Sequence, residues 1–113
     1  MGFFDPVSPY EGPMQEIADA LEVATDEFVR AANKNAEAEN AYLRAFRRAW
    51  LESDGVPATI RSKHCDQQHD VTEAKCEWNL TDAYQKGCRQ KCDELTNRLM
   101  AAMSWQRATR LQS

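Results

Sequence analysis

The sequence predicts an all-α fold: a long antiparallel two-helix hairpin of coiled-coil character, assembling into a helical-bundle oligomer. Three observations carry that expectation. Helix breakers are scarce and crowded at one end, since the 113 residues hold only four glycines and four prolines, with Pro6, Pro9 and Pro13 all before residue 14. Apolar residues recur at three- and four-residue steps on either side of one interruption, the signature of amphipathic helices. That interruption, Ser53-Asp54-Gly55-Val56-Pro57-Ala58, is the one strong turn signal in the remaining chain.

Residues 1–13 (MGFFDPVSPYEGP) read as an extended arm whose prolines block a continuous helix while Phe3, Phe4, Val7 and Tyr10 favour burial. Ser8-Pro9-Tyr10-Glu11 fits a capping box, and Pro13 places the start of the main helix at about residue 14. The hairpin then occupies 14–113. Its first helix, about 14–52, carries the stripe Met14, Ile17, Leu21, Ala24, Phe28, Ala32, Ala36, Leu43, Phe46 and Trp50. The turn spans 53–58, with Gly55 suited to a left-handed position and Pro57 unable to continue the helix.

Thr59 is the expected N-cap of a second helix running to about 108. The stretch Arg61 to Asp70 is polar nearly all round, so a break is expected near 66–70, where Asp70-Val71-Thr72-Glu73 offers a fresh capping signal. Beyond it Ala74, Trp78, Leu80, Ala83, Tyr84, Cys88, Cys92, Leu95, Leu99, Ala102 and Met103 form the second stripe. At 1.5 Å per residue a helix over 14–52 is roughly 58 Å long, so a rod is expected. A two-helix rod buries one stripe per helix, and the remaining apolar side chains imply a homo-oligomer.

Charge divides the chain. Residues 1–42 hold nine acids against Arg30 and Lys34, a net of −7, whereas residues 43–113 hold twelve bases against nine acids, a net of +3. That asymmetry favours antiparallel packing of the halves, and the overall charge of −4 argues against generic binding to duplex DNA. No run approaches the ~18 apolar residues of a membrane span, and Met1 to Pro6 lacks the basic and apolar regions of a signal peptide. A cytoplasmic protein is expected, in which the sequon Asn79-Leu80-Thr81 is a chance match.

No enzymatic constellation emerges. Cys88 and Cys92 share a helix face, yet Cys65 lies 23 residues before Cys88, so the thiols do not converge on one ion along a straight helix. Core packing is the simpler role for the pair, although a dimer would bring two copies together. His69 and Cys65 are four apart, a spacing compatible with a nucleophile pair, but no glycine-rich loop or sheet accompanies them and a solvated tip is the plainer reading. Glu22 with Asp26, and Asp66 with Asp70, lack the Glu-x-x-His and HExxH patterns of metal enzymes. Neither metal nor cofactor is expected.

The segment Tyr42 to Leu51 interleaves aromatics with Arg44, Arg47 and Arg48. Aromatic-arginine mixtures bind single-stranded nucleic acid by stacking and phosphate pairing. The plainer reading makes Leu43, Phe46 and Trp50 part of the core stripe. A turn at 53–58 sets 43–50 opposite the polar stretch 62–69, however, leaving the apolar tip without an apolar partner of its own. Such a patch marks an interface. The expected partner surface is therefore Tyr42, Phe46, Arg47, Trp50 and Leu51, with Arg44, Arg47 and Arg48 as candidate nucleic-acid contacts. By the same register the far end of the second helix overhangs, ready to receive Phe3, Phe4 and Tyr10 on Met100, Met103 and Trp105.

Glu37-Ala38-Glu39-Asn40-Ala41-Tyr42, Asp54-Gly55-Val56-Pro57-Ala58-Thr59-Ile60-Arg61 and the stretch Glu73 to Arg107 together cover about two thirds of the chain. In these segments the sequence resembles small helical-hairpin proteins encoded among the DNA replication and recombination genes of tailed bacteriophages. The resemblance implies a non-enzymatic accessory in the host-cell cytoplasm, acting beside a phage recombination or replication protein. The arm, the cysteines and residues 61–70 depart from that pattern. An inhibitor of a host protein, a direct single-stranded DNA binder and a virion component are the alternatives.

Overall fold

The computed structural model describes residues 11–112, whose regular secondary structure is all α-helix. The order is α1 (Glu11–Glu52), α2 (Ala58–Asp66) and α3 (His69–Gln112), with α1 packed on α3 as a hairpin. The extended arm lies mostly outside the described residues. α1 starts three residues before the expected position, so Pro13 stands within its first turn, where a missing amide hydrogen costs nothing.

The turn forms where expected but by other means. Among the described residues no glycine takes a positive φ, so Gly55 is not a left-handed cap. The chain leaves α1 instead through short-range bonds, Ser53 N to Trp50 O at 3.3 Å and Val56 N to Ser53 O at 3.0 Å. The N-cap of α2 is Pro57 rather than Thr59, and its carbonyl accepts from Ile60 N at 3.1 Å. The break after Asp66 is real. Gln67 and Gln68 close α2 with amides bonded to Lys63, His64 and Cys65 carbonyls, and the Thr72 hydroxyl lies 3.0 Å from Asp66 O and 2.9 Å from Gln68 O. Asp70 falls inside the first turn of α3, favourable there for its charge but not as the cap.

The described residues form two compact units, one from 11–28 and 87–112, the other Val29–Lys86. In the first, α1 turns Met14, Ile17, Leu21, Ala24 and Phe28 inward, and α3 turns Cys88, Cys92, Leu95, Leu99, Ala102 and Gln106. In the second, the inward rows are Ala31, Asn35, Ala38, Tyr42, Ala45 and Ala49 on α1, and Val71, Ala74, Trp78, Thr81 and Gln85 on α3. Each row advances by alternating steps of three and four, the heptad spacing of a coiled coil.

Those rows correct the expected stripes. Ala36 and Leu43 face solvent and Ala32, Phe46 and Trp50 lie half-buried on a flank of α1, while Leu80, Ala83, Tyr84 and Met103 are exposed on α3. The cause is polar residues at inward positions. Asn35 and Thr81 meet across the second unit, the Thr81 hydroxyl donating to Asn35 Oδ1 at 3.0 Å, so a hydrogen bond stands where apolar periodicity would have shown the register.

The polar stretch also supplies what the tip was expected to lack. Cys65 and Val71 are 0% and 1% exposed, and with Ala49 they form a core against which Tyr42, Ala45, Phe46 and Trp50 pack. Val71→Ala is expected to cost about 2 kcal/mol, from two lost methyl groups plus a residual cavity. Leu80→Ala, on the solvent side, is expected to stay within about 0.5 kcal/mol. Urea denaturation midpoints check both, and an equal loss at Leu80 would restore the apolar stripe over the heptad row.

Candidate functional site

The tip of the Val29–Lys86 unit gathers the segment singled out by sequence. Tyr42, Phe46 and Trp50 stand four apart on α1, so their rings follow one another along a single flank. Ring centroids lie 6.1 Å apart for Tyr42 and Phe46 and 6.2 Å apart for Phe46 and Trp50. Trp78 of α3 extends the row beside Tyr42 at 5.3 Å, and the Arg61 guanidinium of α2 caps it 4.3 Å above the Trp50 ring.

Arg61 does more than stack. Its Nη2 donates to the Trp50 carbonyl and lies 3.9 Å from Asp54, while Nε donates to Ser53 Oγ at 3.3 Å. The buried Ser53 hydroxyl donates in turn to Trp50 O at 3.0 Å and lies 3.6 Å from Cys65 Sγ. A cation over the carbonyl end of α1 also opposes the helix dipole. The turn is therefore pinned by one residue that the apolar pattern did not single out, and only contact through space relates it to the segment before the turn.

Tyr42 is held at the other end. Its hydroxyl donates to Asp66 Oδ1 at 3.0 Å. Burial of the phenol, then the hydrogen bond to Asp66, then that carboxylate's charge all raise its pKa above the ordinary 10.0. Asp66 is half-buried at the last turn of α2, a consequence of the break that follows it.

The structure thus divides the expected surface. Tyr42, Phe46 and Trp50 are half-buried and engaged within the chain, whereas Arg47 and Leu51 are exposed together with Arg44 and Arg48. Arg44, Arg47, Arg48 and Leu51 line a shallow depression beside Glu52, and Leu43, 52% exposed, neighbours Arg44 and Arg47 on the helix surface. Ion pairs among the described residues engage Arg61, His69, Lys86 and Arg98, and none engages these three arginines. They form no ion pair, and they stand beside two exposed leucines and Glu52.

Other candidates resolve into packing or surface. Cys65 is fully buried, and His69 instead lies 3.6 Å from Glu73 on the solvent side. Cys88 and Cys92 take successive inward positions in the first unit. Among the described residues no cluster of histidine, cysteine, aspartate and glutamate is arranged to hold a metal ion, and no helix is long and apolar enough to cross a membrane. The first unit contains a cleft of about 620 Å³ between Met14, Ala18, Leu99, Met103 and Arg107. No protein family, curated protein or solved structure matches the chain.

Two tests address the tip. Asp66→Asn removes the carboxylate charge but leaves the burial, so Tyr42 should ionise at lower pH than in the parent and still above the ordinary value, followed by phenolate absorbance. Because the folded phenol holds its proton longer than the unfolded one, stability should fall as pH rises above about 10 and level off once the folded group also ionises. Separately, Arg61→Lys keeps the charge but loses the forked, stacking guanidinium. It should shift Trp50 emission and lower stability by about 1 kcal/mol; unchanged emission would mean that the stack over Trp50 does not form.

Proposed function

We propose that this chain is a non-catalytic helical contact protein whose partner surface is the outward face of the last turns of α1. Arg44, Arg47 and Arg48, with no acidic partner, stand there beside Leu43 and Leu51, and this observation carries the reading. Arginine beside exposed apolar side chains is the chemistry of a protein-binding patch, with bidentate capture of carboxylates and apolar area for burial. The complementary surface is acidic and apolar, as on one face of an amphipathic helix.

In the setting suggested by the resemblance of residues 37–42, 54–61 and 73–107, the partner is a phage recombination or replication protein and the place is the host cytoplasm. Single-stranded DNA is the weaker reading. Its affinity relies on free aromatic faces, whereas the Trp50 ring faces Arg61 and Tyr42 lies between Phe46 and Trp78.

A photo-reactive residue at Leu51, expressed in infected cells, should cross-link to a phage recombination or replication protein. Arg44→Glu with Arg47→Glu should reduce that capture roughly tenfold or more, since a tenfold loss corresponds to only about 1.4 kcal/mol. A cross-link to a host enzyme would replace the recombination setting with inhibition of the host. Cross-linking to nucleic acid would support the DNA reading, and no specific cross-link would remove this surface from consideration.

A further inference from the structure

A seam between two helices leaves the flanks of both open unless a third element covers them. In the Val29–Lys86 unit α2 does so over Phe46 and Trp50. In the unit built from 11–28 and 87–112 no third element stands among the described residues. Its open flank is the cleft of about 620 Å³ between Met14, Ala18, Leu99, Met103 and Arg107. Met14, Ala18 and Leu99 are half-buried, Met103 is exposed, and Arg107 forms no ion pair among the described residues.

We propose that residues 3–10 of the same chain fill this cleft, an inference independent of the arginine face. The segment joins α1 at Glu11, and Met14 on the cleft wall is the fourth residue of that helix. The fourth position is the one against which the residue ahead of a helix cap folds in a hydrophobic staple, a contact that directs the incoming chain back along the helix. Pro6 and Pro9 favour the extended polyproline conformation of three residues per turn, in which Phe4, Val7 and Tyr10 fall on one edge. At about 3.1 Å per residue that edge is roughly 19 Å long. The α3 wall of the cleft, from Leu99 to Arg110, rises roughly 16 Å. Edge and wall match in length, with Tyr10 at the open end beside Met14 and Phe4 deepest beside Leu99.

Charge agrees with this seating. Asp5 is the one charged residue of the segment, and the charged residues lining the cleft are Arg107 and Arg110. The seat differs from the one expected on α3 alone, because Met100 and Trp105 are exposed and do not line the cleft. Seated between the helices, the segment does for this unit what α2 does for the other, and it closes the cleft to outside ligands.

A benzophenone side chain in place of Phe4, in the reduced full chain at low concentration, tests the seat. Irradiation should give cross-links within one chain, mapped by mass spectrometry to Met14, Leu99 or Met103. Met103→Glu, at an exposed position, should lower their yield about tenfold while far-ultraviolet circular dichroism reports unchanged helix. Val7→Asp, which lies ahead of the helices, should do the same and decides the question if Met103→Glu loses helix. Cross-links elsewhere on the chain, or none, would overturn the proposal, as would a yield indifferent to Val7→Asp. A covalent dimer would give the cleft to the segment of a second copy and overturn its assignment to the same chain.

Discussion

The alternation of three and four residues along the inward rows of α1 and α3 decides which side chains of α1 are left for anything else. In the Val29–Lys86 unit that row on α1 is mostly alanine, with Ala31, Ala38 and Ala49 buried. Small side chains let paired helices approach closely and leave little apolar area at the seam. The bulky residues are therefore displaced to the flanks. Phe46 and Trp50 occupy one flank, where α2 covers them, and Leu43 and Leu51 remain uncovered. The outward position of Arg44, Arg47 and Arg48 follows from the same phase.

The short helix α2 is what separates the aromatics from the arginines in exposure. Its sequence has almost no apolar face, and Cys65 is its one buried residue. It is held instead by specific polar and cation–π contacts at two ends of the aromatic row, Tyr42 to Asp66 and Arg61 to Trp50 and Ser53. Hydrogen bonds of this kind contribute about 1 kcal/mol each but fix orientation more than burial does. A tip built this way keeps its rings ordered inside and its charge outside. The break at Gln67 and Gln68 is required for it, because a helix continued straight back from α3 would carry Arg61 and Asp66 away from Trp50 and Tyr42.

The hairpin, the stop of α1 near Glu52 and the interruption before His69 were legible because each has a local chemical cause: an absence of breakers, Asp-Gly-x-Pro at the turn, a polar stretch followed by capping residues. The phase of the helices beyond Phe28 was not legible from apolar spacing. Between Phe28 and Tyr42 the inward row is Ala31, Asn35 and Ala38, which hydropathy cannot distinguish from Ala32 and Ala36 beside them. The true phase is recovered only by continuing the three-four alternation through a polar residue. The same limitation hid half of the site. Arg44, Arg47, Arg48 and Leu51 were identifiable from their clustering, but Arg61, Asp66 and Trp78 join the tip through a chain reversal that no spacing rule encodes.

Charge and aromatic content point the same way once burial is known. A single-strand binder spends its aromatic faces on bases, and here those faces are already opposed by Arg61, Trp78 and neighbouring rings. What remains outside is a basic patch that includes one acid, Glu52, on a chain of net charge −4 with further exposed acids along α1 and α3. For an extended polyanion those acids are repulsive. For a folded partner with its own acidic helix face they are neutral at a distance, because at physiological ionic strength the screening length is about 8 Å. The proposed preference for a compact acidic surface over a long phosphate chain therefore rests on this arrangement, arginines beside leucines and Glu52 outside and aromatic rings already engaged within.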